Sequence, residues 1–131
     1  LAVRARRPGL VLLTGNAFDC AGYLAAGYDG LLLGGAVFNG HMARLIFEAA
    51  GRGDAAGARR MQNRMNRLMW AVYGGKKITC WLAGEKHLLV RMGLFKTPTA
   101  LLRYPLTPAC RRAIAGVLKR ERALLFPGGR P

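Results

Sequence analysis

The sequence contains no serine, only six acidic residues and only two histidines. Without serine, the chain cannot carry a serine-nucleophile triad. The acidic residues are scattered singly, so the sequence does not indicate a hydrolase with paired carboxylates. His41 and His87 fall on separate predicted helices, where a packing or surface role explains each better than a role as general base. We therefore assign no catalytic residue within this chain.

Cysteine is also scarce. Cys20, Cys80 and Cys110 are odd in number, lie far apart and include no CxxC pair. With only two histidines to add, they do not form a metal-ligand set. Three reduced thiols fit a cytoplasmic protein best. We expect no metal, no cofactor and a cytoplasmic location.

Long apolar runs are missing as well. No stretch approaches the ~20 apolar residues that span a bilayer, so we expect no membrane association. The basic N-terminus is not typical of a secretory signal, because Pro8 and Gly9 interrupt it and the apolar run 10–13 is too short. The hydrophobic fraction of 52% is nevertheless ample for a packed core in a chain of 131 residues.

Positive charge is what the chain has in excess, with a net charge of +15. Such a balance is typical of proteins that bind nucleic acid or anionic surfaces. The basic residues, however, occur singly or in pairs along several predicted helices, and aromatic residues are not interleaved with them as stacking platforms. This distribution disfavours specific nucleic-acid binding. A small basic helical protein that binds nucleic acid or an acidic partner is kept as the alternative interpretation.

The first third of the chain predicts a strand, a short helix and a second strand. Residues 10–14 and 30–35 are apolar runs that end in glycine, and a helix over 19–26 separates them, which favours right-handed parallel pairing. A strand that is apolar along its whole length, such as 31–33, is typical of a sheet with other layers packed on both faces. Two strands cannot form such a sheet, and no third strand follows. This predicts a piece of a larger α/β protein. The first residue, Leu1 instead of methionine, fits either a processed chain or a fragment.

The remainder predicts helices over 39–50, 54–73 and 78–92, and a last one from the Thr107–Pro108 cap to about 125. Five residues of the second helix fall on one face at helical spacing, which is typical of a core stripe: Met61, Met65, Leu68, Met69 and Val72.

The order of these features resembles the dihydrodipicolinate synthase / N-acetylneuraminate lyase family. The run Val-Leu-Leu-Thr-Gly at 11–15 and the run Ala-Ala-Gly-Tyr-Asp-Gly-Leu-Leu-Leu-Gly at 25–34 resemble that family's seventh and eighth strands. Downstream, the segments around Gly53–Asp54, Trp81, Lys86–His87 and Tyr104–Thr107 follow its C-terminal helices. No single motif is unique, but the likeness extends over about residues 8–125 and keeps the family's order and spacing.

The resemblance implies the C-terminal part of a (β/α)8 barrel, with strands seven and eight over 1–52 and a three-helix domain over 53–126. The residues Pro-Gly-Gly at 127–129 end the last helix and predict a disordered tail over 127–131. The resemblance also implies a Schiff-base lyase or aldolase that joins or cleaves a pyruvate-type 2-keto acid and an aldehyde, and a homotetramer when complete. The family's imine-forming lysine and proton-shuttling tyrosine have no counterpart here. Lys86 matches a lysine of the helical domain, so we expect this chain alone to be inactive.

Two positions take a substrate-binding role from the resemblance. Gly15 matches the glycine at the mouth of strand seven, and Leu32 matches the strand-eight residue whose backbone carbonyl faces the keto acid. Sialate-cleaving members place acidic residues and a serine where this chain has Ala17, Phe18 and Leu33. These departures count against a sialate substrate and predict a smaller or less polar aldehyde.

Overall fold

The structure, a computed structural model, describes residues 2–129, and these residues are mostly helical. Two short strands and a single 3-10 turn over Ala17–Asp19 accompany the α-helices. The elements in chain order are α1 (Ala2–Arg6), β1 (Leu13–Thr14), α2 (Cys20–Ala25), β2 (Gly30–Leu31), α3 (Ala36–Gly51), α4 (Ala55–Tyr73), α5 (Trp81–Arg91), α6 (Pro108–Arg120) and α7 (Arg122–Leu125).

The predicted fold class is wrong. The sequence predicted an α/β chain with the last two strands of a (β/α)8 barrel, but the described residues form mostly helices and one sheet of two strands with two residues each. Strands extend only where a neighbour accepts their hydrogen bonds, and each run here has a single partner. Glycines 34 and 35 then end the second run, and α3 begins directly after them.

The parallel pairing of the two strands is confirmed. Leu13 lies opposite Gly30, and Thr14 lies opposite Leu31. Beyond the ladder, the Asp29 N–H donates to the Leu12 carbonyl at 2.8 Å, which extends the contact between the two segments by one residue. The parallel pair therefore places the carboxyl ends of both strands side by side.

The chain divides into two compact units, one up to Met65 and the other from Asn66 onward. This division lies inside α4, whereas the sequence placed the domain boundary between residues 52 and 53, and that boundary stays a prediction. Of the tail predicted to be disordered, residues 127–129 are described, and residues 130–131 lie outside the described part.

The first unit has its core between α2, α3 and the first half of α4. The buried side chains are mostly apolar and repeat at helical spacing along α3. α3 begins at Ala36, three residues before the predicted start, and α2 stops before Gly27, whose φ of +90° is one that glycine adopts without strain. The principal buried residues are Cys20, Phe38, Met42, Ile46, Ala49 and Met65.

The second unit is built from the end of α4 and from α5, α6 and α7. The break after α4 is confirmed, since Gly74 and Gly75 have φ of +83° and +91°. α5 begins only at Trp81, because Ile78 takes a φ of +53° that a helix cannot contain. The Thr107 cap is confirmed by its hydroxyl, which accepts from the Cys110 N–H at 3.1 Å. The core includes Leu68, Met69, Val72, Leu88, Leu89, Ile114 and Val117.

Candidate functional site at the strand ends

The two residues with a predicted binding role lie next to each other. Gly15 directly follows β1, and Leu32 directly follows β2. The Leu32 N–H donates to the Thr14 carbonyl at 2.9 Å. A Cβ atom added to Gly15 would stand 3.6 Å from the Leu32 carbonyl oxygen. The parallel register thus brings together two backbone positions that are 17 residues apart, and both are exposed.

Polar groups after β1 hold the turn in shape. The buried Thr14 hydroxyl accepts from the Asn16 N–H at 3.1 Å, and the Asn16 side-chain oxygen accepts from the Phe18 N–H at 3.1 Å. Short side chains that bond the backbone two residues on are typical of tight turns. These interactions fix the backbone that leads away from Gly15.

Gln62 of α4 is a residue that the sequence reasoning missed. It is fully buried, its side-chain oxygen accepts from the Ala21 N–H at 3.1 Å, and its side-chain nitrogen donates to the Ala17 carbonyl at 2.9 Å. One turn earlier, Arg59 pairs with Asp19 at 2.9 Å, so the Asp19 side chain is not used to cap α2. The only sequence signal was a polar residue on the apolar stripe of α4.

Another missed residue is Asn39 in the first turns of α3. Its side chain is buried, and neither of its polar atoms has a hydrogen-bond partner within residues 2–129. A buried amide without partners lowers stability, because it has lost its bonds to water.

An apolar pocket of about 400 Å³ lies between the strand pair and α3. The charged groups at its rim are already paired: Asp29 with Arg4, and Arg44 with Glu48 at 3.2 Å. The pocket therefore offers apolar surface and no convergent set of free charges. Leu31 and Leu33 line it, while the Leu32 side chain between them is 72% exposed. The remaining lining residues are Leu13, Gly30, Ala36, Gly40, Ala43 and Phe47.

The first unit has no lysine, since the first lysine in the sequence is Lys76. Lys86 lies in α5, within the second unit, and its ammonium donates to the Thr99 carbonyl at 2.7 Å. Its nitrogen also lies 6.0 Å from the centre of the Phe95 ring. These contacts give Lys86 a local role in holding the loop after α5.

Three other titratable side chains of the second unit have shifted pKa values. Burial raises the pKa of Glu85, and the hydrogen bond from Tyr73 partly offsets that rise. Burial, followed by the neighbouring Glu85, raises the pKa of Tyr73. Burial, followed by the charges of Arg111 and Arg91, lowers the pKa of His87. Each shift follows from local packing and pairing.

The Cys20 thiol lies beside the strand-end turn but is poorly suited to be a nucleophile. It is fully buried, and its sulfur donates to the Asn16 and Ala17 carbonyls at 3.7 and 3.6 Å. Burial raises the pKa of this thiol to about 11, which keeps it protonated near neutral pH. Among the described residues, no three histidine, cysteine or acidic side chains come together in a way that could hold a metal ion.

Comparison with known proteins does not identify a family for this chain. No protein-family model matches the chain, and no curated protein matches it either. Within residues 2–129, no helix has the length and apolar character needed to cross a membrane.

Proposed function

We propose that this chain contributes a 2-keto acid binding surface to a Schiff-base lyase of the dihydrodipicolinate synthase type. The observation that supports it most is the meeting of Gly15 and the Leu32 carbonyl at the carboxyl ends of two parallel strands, where a Cβ atom added to Gly15 would lie 3.6 Å from that oxygen. Ligands of parallel sheets bind at this edge. Glycine at the edge lets a small ligand approach the backbone closely.

The proposal separates binding from chemistry. In this type of lyase, a lysine forms an imine with the keto acid, and the protonated imine nitrogen draws electrons from the adjacent carbon. The unit that contains Gly15 and Leu32 has no lysine to form such an imine. Its role in this proposal is therefore to hold the keto acid, and the isolated chain has no aldolase activity.

The proposed aldehyde partner is small or weakly polar. Leu33, at a position where sialate-cleaving relatives carry serine, lines the apolar pocket beside the strands. An apolar wall leaves the hydroxyl groups of a sugar chain without hydrogen bonds, which costs binding energy. This favours an aldehyde without a polyhydroxylated tail.

The test combines two measurements on the full chain with pyruvate as the probe. Amide chemical shifts should change at Gly15 and Leu32 as pyruvate is added. Borohydride treatment in the presence of pyruvate should give no increase in intact mass. Gly15→Leu, which places a side chain over the Leu32 carbonyl, should remove the shift changes. Gly51→Leu is the matched control, because the space around Gly51 is open.

Two results would overturn the proposal. One is a set of pyruvate-induced shifts that persists unchanged in Gly15→Leu, because the ligand would then bind elsewhere. The other is a borohydride-trapped adduct on Lys86, which would give that lysine the chemical role that the proposal denies to it.

A second candidate function is the binding of a polyanion, and one surface favours it. Lys119, Arg120 and Arg122 line a cleft of about 420 Å³ near the end of α6, and the Arg122 guanidinium lies 5.6 Å from the centre of the Phe126 ring. A cation beside an aromatic ring can hold a phosphate and stack on a base. Binding to a single-stranded oligonucleotide that weakens steeply with added salt, and that Arg122→Gln reduces, would favour this function.

A further inference from the structure

Two of the three cysteines meet in the second unit. Cys80 occupies the N-cap of α5, and Cys110 lies in the first turn of α6. Both contact the Thr107 hydroxyl: the Cys80 sulfur at 3.8 Å, and the Cys110 N–H, which donates to it at 3.1 Å. A Cβ atom added to Gly84, in the first turns of α5, would stand 3.4 Å from the Cys110 sulfur. The start of α5 and the start of α6 thus bring the two cysteines to the same part of the second unit.

The backbone around both thiols is held in place. The Cys80 N–H donates to the Tyr73 carbonyl at 2.8 Å, and the Cys110 thiol donates to the Val72 carbonyl at 3.4 Å. Both cysteines therefore bond to the last turn of α4. Disulfide formation requires closely spaced β-carbons, and two cysteines anchored around one threonine hydroxyl meet the first condition for it.

A cleft reaches Cys110, one of the two cysteines. A cleft of about 390 Å³ has Cys110 and Thr107 in its wall, together with the glycines that follow α4. Only 3% of Cys110 and none of Cys80 is exposed, and Cys80 does not line the cleft, so oxidation of the pair requires an oxidant small enough to pass Cys110 and Thr107. The remaining lining residues are Trp70, Ala71, Gly74, Gly75, Ala109 and Ala113.

We propose that Cys80 and Cys110 form an oxidisable dithiol, which a small hydroperoxide converts to a disulfide between the start of α5 and the start of α6. This modification site is independent of the function proposed for the strand ends. Cys20 takes no part in it, because Cys20 bonds to the turn after β1 in the other unit.

The reaction balances with hydrogen peroxide as the oxidant. The Cys80 thiolate attacks one peroxide oxygen, the O–O bond breaks, and Cys80 becomes a sulfenic acid as one water leaves. The Cys110 sulfur then attacks the Cys80 sulfur, the S–O bond breaks, and the second water leaves with the thiol proton. Two thiols and one peroxide give one disulfide and two waters.

The acidities of the two thiols support this order. Burial raises the pKa of Cys80, but hydrogen bonds from the Thr107 backbone, the Cys110 thiol and the Thr107 and Thr79 hydroxyls together bring it below the usual value. Burial, followed by the neighbouring Cys80, raises the pKa of Cys110 to about 12. Cys80 is therefore the thiol that ionises first, and thiolates are the nucleophiles in such reactions.

The experiment treats the full reduced chain with one equivalent of hydrogen peroxide, blocks the remaining thiols by alkylation and digests with trypsin. The expected product is peptide 78–86 joined to peptide 104–111, lighter than the two free peptides by two hydrogens and separated by dithiothreitol. Its formation should be about tenfold faster in the folded chain than in guanidinium, because chain closure alone favours nearby cysteines only weakly.

Variants separate this pair from the third cysteine. Cys20→Ala should form the same linked peptide at the wild-type rate, and Cys110→Ala should leave Cys80 alkylated or as a sulfenic acid. The comparison of folded and unfolded wild-type chain does not depend on the folding of either variant. Disulfides that include Cys20, or equal rates in the folded and unfolded chain, would overturn the proposal.

Discussion

The strand segments of the first unit and the helices of the second unit bury their apolar residues to different extents. In the first, Leu13 and Leu32 of the strand segments are 49% and 72% exposed. In the second, Leu88 of α5 is fully buried, and Gly84 of the same helix leaves no room for a side chain against α4. Helices can bury their apolar faces on each other, whereas a parallel strand pair needs further layers on both sides. The packed helices therefore bury their leucines, whereas the strand segments expose theirs, as does the loop after α5, where Leu101 is 99% exposed.

The largest expected difference in stability comes from shortening one leucine in each unit. Leu88→Ala should lower the free energy of unfolding by about 2–5 kcal/mol, because it leaves a cavity in a packed core. Leu32→Ala should change it by less than about 0.5 kcal/mol, because its side chain is mostly in solvent. Urea unfolding followed by circular dichroism measures both. Equal losses would show that the strand segment is covered in solution.

A smaller effect is expected from adding a methyl group at helical glycines of the second unit. The Cβ of Gly84→Ala would lie 1.8 Å from the Val72 carbonyl oxygen, so the helices must separate. We expect a loss of about 2–3 kcal/mol from this overpacking.

Gly116→Ala in α6 is the matched control for that substitution. There the new methyl group meets only the movable end of the Arg120 side chain at 3.0 Å. The better helix propensity of alanine should then raise stability by up to ~1 kcal/mol. Thermal unfolding of both variants tests the pair, and a tolerated alanine at position 84 would contradict the close approach.

The smallest effect concerns the pH dependence of the second unit. Burial and the charges of Arg111 and Arg91 lower the pKa of His87 below its usual value of 6.5, so the unfolded chain takes up this proton first. The stability associated with neutral His87 is therefore present above pH 6.5 and lost as the pH falls through the lowered pKa.

The variant His87→Gln should show a smaller loss of stability than the wild type between about pH 7.5 and pH 5. Arg111→Gln, which keeps the histidine and removes one neighbouring charge, should give an intermediate loss. Urea midpoints at the two pH values provide the measurement. If His87→Gln loses as much stability between the two pH values as the wild type does, the acid sensitivity belongs to other groups.

Much of the local structure could be predicted from sequence because its causes are local. Thr107 and Pro108 specify the start of α6, Gly74 and Gly75 specify the end of α4, and the apolar spacing of α4 specifies its buried stripe. Parallel pairing followed from a short helix between two apolar runs. The predicted α/β class was wrong because the length of a strand depends on neighbouring strands, which an apolar run does not reveal. Among the described residues, each of the two strands has one neighbour.

The candidate site, too, was predictable only where its causes are local. The glycine and the apolar runs identify the strand ends, but only the register of Leu13 with Gly30 brings Gly15 to the Leu32 carbonyl. Gln62 was missed, because its bonds to Ala17 and Ala21 join residues more than 40 positions apart. No spacing rule connects a polar residue on a helix to a turn so far away.

The sequence by itself determined where α4 ends, where α6 begins and which face α4 buries, since caps, glycines and periodicity act within a few residues. The end of α6 at Arg120, inside the single helix predicted up to about 125, was not predicted. The tertiary structure alone decided that Cys80 and Cys110 share the Thr107 hydroxyl, and that the strand segments expose their leucines. Contacts between distant residues depend on how elements pack, and packing is a property of the folded chain as a whole.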